Sequence, residues 1–316
     1  MTAGASDPLL FERAPLAALV GVTGSGKTGF GIELARATGA EVLSLDSMLV
    51  YRGLDIGTAK PTAEQRAAVP HHLIDLVEPR ERYDLSRYLA DARAALAGIE
   101  RRGRRALFVG GTALYLRALT HGLFEGPPHD AGLRSELQAR ARELGPARLH
   151  AELAAVDPAS AARLHPNDEK RIVRALEVWR QTGKALSELQ REWNNGTGRQ
   201  RRLVGLQVEP AELERRLLER AAAMLDAGWA AEALRARAEG LGASAVQALG
   251  YADVLEFAQG RITREECLRR VVLRTRQFAR RQRTWLRKFP EILWLPAPRT
   301  ESERAQALRS ALAHLY

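Results

Sequence analysis

The chain has 316 residues, 46% of them hydrophobic, which is enough for one large or two smaller domains with a sizeable core. Lys and Arg outnumber Asp and Glu by 48 to 38, a net charge of +10 that points to a polyanionic partner, nucleic acid first of all. The single cysteine, Cys267, excludes an intrachain disulfide and a cysteine-cluster metal site, and no apolar run approaches the ~20 residues of a membrane span.

Residues 1–14 carry neither a basic n-region nor an apolar h-region and read as a loose leader. With one cysteine, a reducing cytoplasm is the expected compartment. Residues 16–20, Leu-Ala-Ala-Leu-Val, predict a buried strand. Residues 21–28 then fit G-x-x-x-x-G-K-[ST], and a helical run follows over 30–36. Gly21, Val22, Thr23, Gly24, Ser25, Gly26, Lys27 and Thr28 are thus a candidate phosphate cradle. The glycines let backbone N–H groups turn inward, and the helix start adds its positive partial charge. Lys27 suits the terminal phosphates and the Thr28 hydroxyl suits Mg²⁺.

A second strand is expected over 41–45, ending on Asp46-Ser47. A polar loop over 51–61 follows, then a short strand candidate over 71–76. His71 and His72 lack a third ligand at metal spacing and read as packing or capping residues. A helix is predicted over 84–102, N-capped by Asp84. Residues 105–109 give another buried strand, ending in Gly110, Gly111 and Thr112. Strands alternating with helices predict an α/β fold, a P-loop NTPase-like parallel sheet flanked by helices. Ligands of such sheets bind at the carboxyl ends of strands, where residues 21–28, Asp46 and residues 110–112 all fall.

From about 120 to 200 no strand pattern is evident. A loop at 126–130 leads into helical patterns at 131–144, 146–155, 158–165, 168–182 and 184–193, and residues 194–199 close the stretch. It reads as an all-helical insertion (120–200) in a core made of 15–119 and 201–316. The core resumes with a strand at 203–208. Helices are expected at 210–227, 229–239, 244–258 and 263–288, then a strand at 292–295 and a helix at 301–315.

Asp46 ends an apolar strand facing the cradle. It could order Mg²⁺, act as a general base, or merely cap a turn. The strand over 105–109, where many ATPases carry an acid, ends instead in Gly-Gly-Thr, which argues against ordinary ATP hydrolysis. Residues 269–288 contain no acid. On a helix, Val271, Phe278 and Trp285 would form an inner stripe and Arg269, Arg276, Arg280, Arg283 and Arg287 a basic ridge without helical ion-pair partners, suited to a phosphate backbone. Lys170, Arg171 and Arg174 make a second basic helix face. Arg216 and Arg220 form an i, i+4 pair.

Taken together, the chain resembles the tRNA dimethylallyltransferase (isopentenyltransferase) family. The resemblance rests on the P-loop, on Asp46-Ser-Met-Leu-Val-Tyr-Arg52, on Asp55-Ile-Gly-Thr-Ala-Lys-Pro61, and on Gly110-Gly-Thr-Ala-Leu-Tyr-Leu116. Further on it rests on Leu164-His-Pro-Asn-Asp168, Arg174-Ala-Leu-Glu-Val178, Thr182-Gly-Lys184, Gln247-Ala-Leu-Gly-Tyr251 and residues 275–287. The order and spacing hold from about 16 to 295. Val22 and Gly24 stand where the family has Pro and Ala, and Leu49 where it often has Gln.

The resemblance implies transfer of a dimethylallyl group from dimethylallyl diphosphate to N6 of the adenosine 3′ of the tRNA anticodon, by a monomer. It implies Asp46, Thr112 and Lys27 as catalytic residues, Asp46 being the general base. The P-loop, Mg²⁺ on Thr28, and Arg220 would hold the diphosphate. Asp46, Ser47, Met48, Leu49, Thr112 and Arg134 would touch the tRNA anticodon stem-loop, as would Lys170, Arg171, Ile172, Val173 and Arg174, and Gln247, Ala248, Leu249, Gly250, Tyr251 and Ala252. Arg276, Arg280 and Arg283 would add backbone contacts. Free adenine nucleotides as acceptors, a nucleotide kinase and a non-catalytic RNA-binding protein remain as other readings of the residues.

Overall fold

The computed structural model describes residues 15–122, 126–127, 130–193 and 200–316. The expected leader, the middle of the loop at 126–130 and the closing turn at 194–199 lie outside the described residues.

The chain divides into two compact units, Met1–Thr120 with Gly198–Tyr316, and His121–Thr197. The first is built on a six-stranded parallel sheet. Its strands are β1 (Leu16–Gly21), β2 (Ala40–Leu45), β3 (His71–His72), β4 (Arg105–Gly110), β5 (Arg201–Gln207) and β6 (Ile292–Pro296), in the order β3-β2-β4-β1-β5-β6. β1 and β2 are buried at every residue because helices cover both faces of the sheet. Ala17 and Leu19 of β1, Val42, Leu107 and Val204 point to one side, into a core closed by the helices Lys27–Thr38 and Glu301–Leu315. The opposite side takes the helices Leu85–Arg101 and Arg264–Leu286. Asp84 caps the first of these, accepting from the Arg87 backbone N–H.

Register places the strand ends level. Gly110 pairs with Leu45 on one side and Val20 on the other, so Gly21, the last residue of β1, stands level with Asp46 and Gly111, which follow β2 and β4. Gly110 must be glycine, since a Cβ there would lie 2.1 Å from the Leu45 carbonyl oxygen.

The strand expected over 71–76 stops after His72, because Leu73 (φ 63°) and Asp75 (φ 56°) take left-handed backbone that no ladder accepts. His71 hydrogen-bonds the Val69 carbonyl and His72 bonds Glu41. The helix expected over 244–258 is a 3-10 turn, Ala245–Gln247, and a helix, Tyr251–Ala258, broken by Gly250 at φ 86°. The helix expected over 158–165 is one turn, Pro158–Ala161.

The second unit is helical where described. The helices Ala131–Leu144, Pro146–Val156, Pro158–Ala161, Glu169–Thr182 and Leu186–Trp193 gather around Leu137, Leu149, Leu153, Ile172 and Leu176. Buried Asp157 joins two of them, its carboxylate accepting from the Ser160 and Ser187 backbone N–H groups, each at 2.9 Å.

Candidate active site

The P-loop wraps the end of β1. Gly24 (φ 86°) and Gly26 (φ 83°) take left-handed backbone, and the Ser25 N–H closes the turn onto the Val22 carbonyl at 3.1 Å. Beneath Gly24 lie Leu213 and Leu217, 2.9 and 3.0 Å from where a Cβ would point, so even an alanine would be crowded and strained. Gly26 caps the helix Lys27–Thr38 without a side-chain hydrogen bond, leaving the helix start to the loop backbone. Ser25 is buried and its hydroxyl has no partner among the described residues, an orphaned polar atom inside the cradle.

Three charges share this crevice. Burial pushes the Lys27 ammonium down to about 8, against the pull of the Asp46 carboxylate and with the help of Arg220. Arg220, on the helix Pro210–Asp226, is also lowered by burial and held up by Asp46. Asp46 is thus the carboxylate whose charge acts on both desolvated cations. Lys27 meanwhile donates to the Val22 carbonyl at 3.4 Å. Arg216, the neighbour of Arg220 one turn back, reaches to 3.8 Å from a Cβ built on Gly26 and pairs with Glu212 at 2.7 Å.

Asp46 itself is half-buried and accepts from the Met48 N–H at 2.9 Å, a turn that steadies its carboxylate. Thr112 accepts from the Ser47 N–H at 3.3 Å, and the Gly111 and Thr112 N–H groups both reach the Leu45 carbonyl at 3.1 Å. The ends of β2 and β4 are therefore tied together. Tyr88 and Tyr115 stack at 3.8 Å nearby, and their hydroxyls are raised by burial and by charges that include Asp46.

Gln282, on the long helix Arg264–Leu286, is a residue that sequence reasoning missed. It is buried, accepts from the Thr23 N–H at 2.9 Å and donates to the Gly111 carbonyl at 2.9 Å. A polar residue amid a basic run gave no signal for this. The periodicity predicted Val271, Phe278 and Trp285 as the inner stripe. In fact Cys267, Val271, Ala279, Gln282 and Leu286 face inward, while Phe278 and Trp285 are half-buried.

The basic ridge is partly neutralised. Arg269 pairs with Glu266 at 2.7 Å, just upstream of the acid-free stretch, and Arg276 pairs with Glu214 of the neighbouring helix at 3.0 Å. Arg283 reaches the Val208 carbonyl at 3.5 Å. Arg280 is exposed and makes no ion pair among the described residues.

The motif at 55–61 is held from below. The buried Glu232 carboxylate accepts from the backbone N–H groups of Asp55, Ile56 and Gly57 at 2.8, 2.8 and 3.0 Å, and from the Tyr251 hydroxyl at 2.6 Å. Buried Lys60 donates to Asp55 and Asp75 and to the Tyr51 carbonyl. Tyr251 and Ala248 are buried, whereas Gln247 and Ala252 are exposed and Leu249 is half-buried.

In the helical unit, Ile172 and Val173 are buried in the core, so their side chains do not reach the surface. Lys170 and Arg171 are exposed, Arg171 pairing with Asp168 at 3.0 Å. Arg174 pairs with buried Glu177 at 3.1 Å and donates to the Pro127 carbonyl. Arg134 is half-buried on the first turn of its helix.

Among the described residues no group of three His, Cys, Asp or Glu side chains could hold a metal. The Thr28 hydroxyl and the Asp46 carboxylate are sparse donors. They suit Mg²⁺, which keeps several waters and leans on substrate phosphates. No helix among the described residues is long and apolar enough to cross a membrane.

A parallel sheet with a G-x-x-x-x-G-K-[ST] loop on its central strand, and a carboxylate and a Gly-Gly-Thr turn beside it, defines a P-loop-like α/β fold. The model of the IPP transferase family matches residues 49–289, and that of the isopentenyl transferases residues 14–72. A tRNA dimethylallyltransferase of Anaeromyxobacter sp. (strain K) is 48% identical over 286 residues, covering 90% of this chain and 93% of that protein. One from Shouchella clausii is 42% identical over 293 residues, covering 92% and 93%. The crystal structure of a full-length tRNA isopentenylpyrophosphate transferase from Bacillus halodurans superposes with a TM-score of 0.69 at 34% identity, over 96% of this chain and 97% of that one. A eukaryotic dimethylallyltransferase acting on tRNA superposes at 0.79 and 28% identity, over 95% and 78%. This chain belongs to the tRNA dimethylallyltransferase family of prenyltransferases.

Proposed function

We propose that this protein transfers the dimethylallyl group of dimethylallyl diphosphate to N6 of the adenosine 3′-adjacent to the tRNA anticodon. The observation that carries the reading is the pair of desolvated cations, Lys27 and Arg220, facing one carboxylate, Asp46, at the mouth of a P-loop. A diphosphate leaving group matches the cations, and a carboxylate facing an incoming amine matches a general base.

In the reaction the allylic C1–O bond breaks and its electron pair stays on the diphosphate oxygen. The N6 lone pair forms the new C–N bond, and the N6 proton passes to the Asp46 carboxylate. The P-loop N–H groups, Lys27 and Arg220 hold the negative charge that develops on the leaving oxygen. Thr28 would hold Mg²⁺ together with diphosphate oxygens, and the ion when bound supplies further positive charge there. Thr112, tied to Ser47, keeps the Asp46 strand end in place beside the acceptor. The adenine must leave its stack to reach the crevice. We take the acting species to be a monomer in the cytoplasm, with the anticodon stem-loop as the bound element.

Incubation with unmodified tRNA, Mg²⁺ and dimethylallyl diphosphate, followed by nucleoside mass analysis, tests this. Adenosine should gain one five-carbon unit. Equal transfer to free AMP would overturn the tRNA acceptor, and phosphate transfer from ATP to a small acceptor would overturn the prenyl reaction.

A further inference from the structure

We propose that Gln282 is a positioning residue that fixes the leaving-group cradle against the strand end carrying the proton acceptor. The inference rests on the proposed reaction and assigns that site a residue from a distant part of the chain.

The geometry leaves one arrangement of the side chain. The Thr23 N–H can only donate, so it must face Oε1, and the Gly111 carbonyl can only accept, so it must face Nε2. Each partner uses one half of the carboxamide. Thr23 lies in the cradle, while Gly111 directly precedes Thr112, which holds Ser47 next to Asp46. The two bonds of Gln282 and the Ser47–Thr112 bond, joined by the Gly111–Thr112 peptide, thus connect the P-loop to the Asp46 strand end. Their separation sets how far the departing oxygen stands from the base. Gly111 has made room for this contact, since a Cβ there would lie 2.4 Å from the Gln282 nitrogen and 2.7 Å from the Gly21 carbonyl oxygen. A buried carboxamide that merely filled space would be replaceable by a methionine of similar shape. One that sets the register of two reacting groups would not be.

Gln282→Met keeps the volume and removes both bonds. It should lower kcat by about a hundredfold, the scale expected for an ångström of misplacement, while the KM for tRNA stays within about twofold. Gln282→Glu adds a readout that packing alone would not move. Ionised, the introduced carboxyl offers only acceptors and sets one against the Gly111 carbonyl. Protonated, it restores one donor and one acceptor. The ratio of variant to wild-type kcat should therefore climb as pH falls, by up to about tenfold per unit while that carboxyl titrates.

Wild-type kcat in Gln282→Met, a loss that follows only the folded fraction, or a flat Gln282→Glu ratio would overturn the proposal. Should wild-type protein transfer no prenyl group, the reaction itself fails. Calorimetric binding of inorganic pyrophosphate then decides the clamp: Gln282→Met should weaken it about tenfold, and unchanged affinity overturns it.

Discussion

At the scale of single residues, the site is governed by desolvation. Lys27 and Arg220 are both drawn below their ordinary values because burial penalises their charge, and Asp46 is the counter-charge acting on both. A diphosphate would take over that role and free the carboxylate to accept a proton. Under the proposed reaction, Asp46→Asn keeps the side-chain shape and its bond from the Met48 N–H but removes the base. Single-turnover prenyl transfer should fall by about 10²- to 10⁴-fold, with tRNA affinity within a few-fold of wild type by filter binding. Transfer within threefold of wild type would remove Asp46 from that role. The Gly24 departure is explained at this scale too, since its left-handed backbone lies on Leu213 and Leu217.

At the scale of elements, buried carboxylates fasten loops and strands. Glu232 gathers three backbone N–H groups of the 55–57 turn and so lays that loop on the helix Trp229–Glu239. Glu41 does the same for the sheet edge. Buried at the start of β2, it accepts two bonds from Arg102, just past the end of the helix Leu85–Arg101, and meets His72 of β3 at 2.7 Å. The Arg102 hydrogen bonds, with His72 adding to them, hold its carboxyl below the usual 4.5 against the opposing effect of burial. A depressed carboxylate contributes stability above its unfolded value and loses it as pH falls through the folded one. Glu41→Gln should therefore cost about 1–3 kcal/mol at pH 7, where it weakens bonds to a charged guanidinium. The difference from wild type should shrink as pH falls below about 4.5. Urea unfolding at neutral and acid pH measures both, and a pH-independent difference would show the charge to be irrelevant.

At the scale of the whole molecule, a net charge of +10 makes affinity for a polyanion dependent on salt. The two ridge arginines should not count equally. Arg276 already has Glu214, while Arg280 has no ion pair among the described residues. Arg280→Ala should reduce the slope of log affinity for tRNA against log salt by about one, and Arg276→Ala by clearly less. Equal slopes for both variants would mean that the Arg276–Glu214 pair opens on binding.

The sequence by itself determined what depends on neighbours along the chain. The P-loop with its strand and helix, the six strand positions, the helix capped by Asp84 and the helical runs at 131–144 and 301–315 were legible because period, caps and turn glycines are local signals. It also determined the family, since whole motifs stand in order from the P-loop to the long basic helix. What was misread turned on partners distant in the chain or on local backbone conformation. The strand over 71–76 ended early because Leu73 and Asp75 take left-handed backbone. The inner face of the helix Arg264–Leu286 carries Gln282 in place of the expected Phe278 and Trp285, and Gln282 bonds Thr23 and Gly111, 259 and 171 residues away. Arg276 lost its unpaired status to a glutamate on another helix. Only the tertiary structure decided the last two, because a polar side chain takes whichever partner packing brings to it, and that partner leaves no trace in the local pattern.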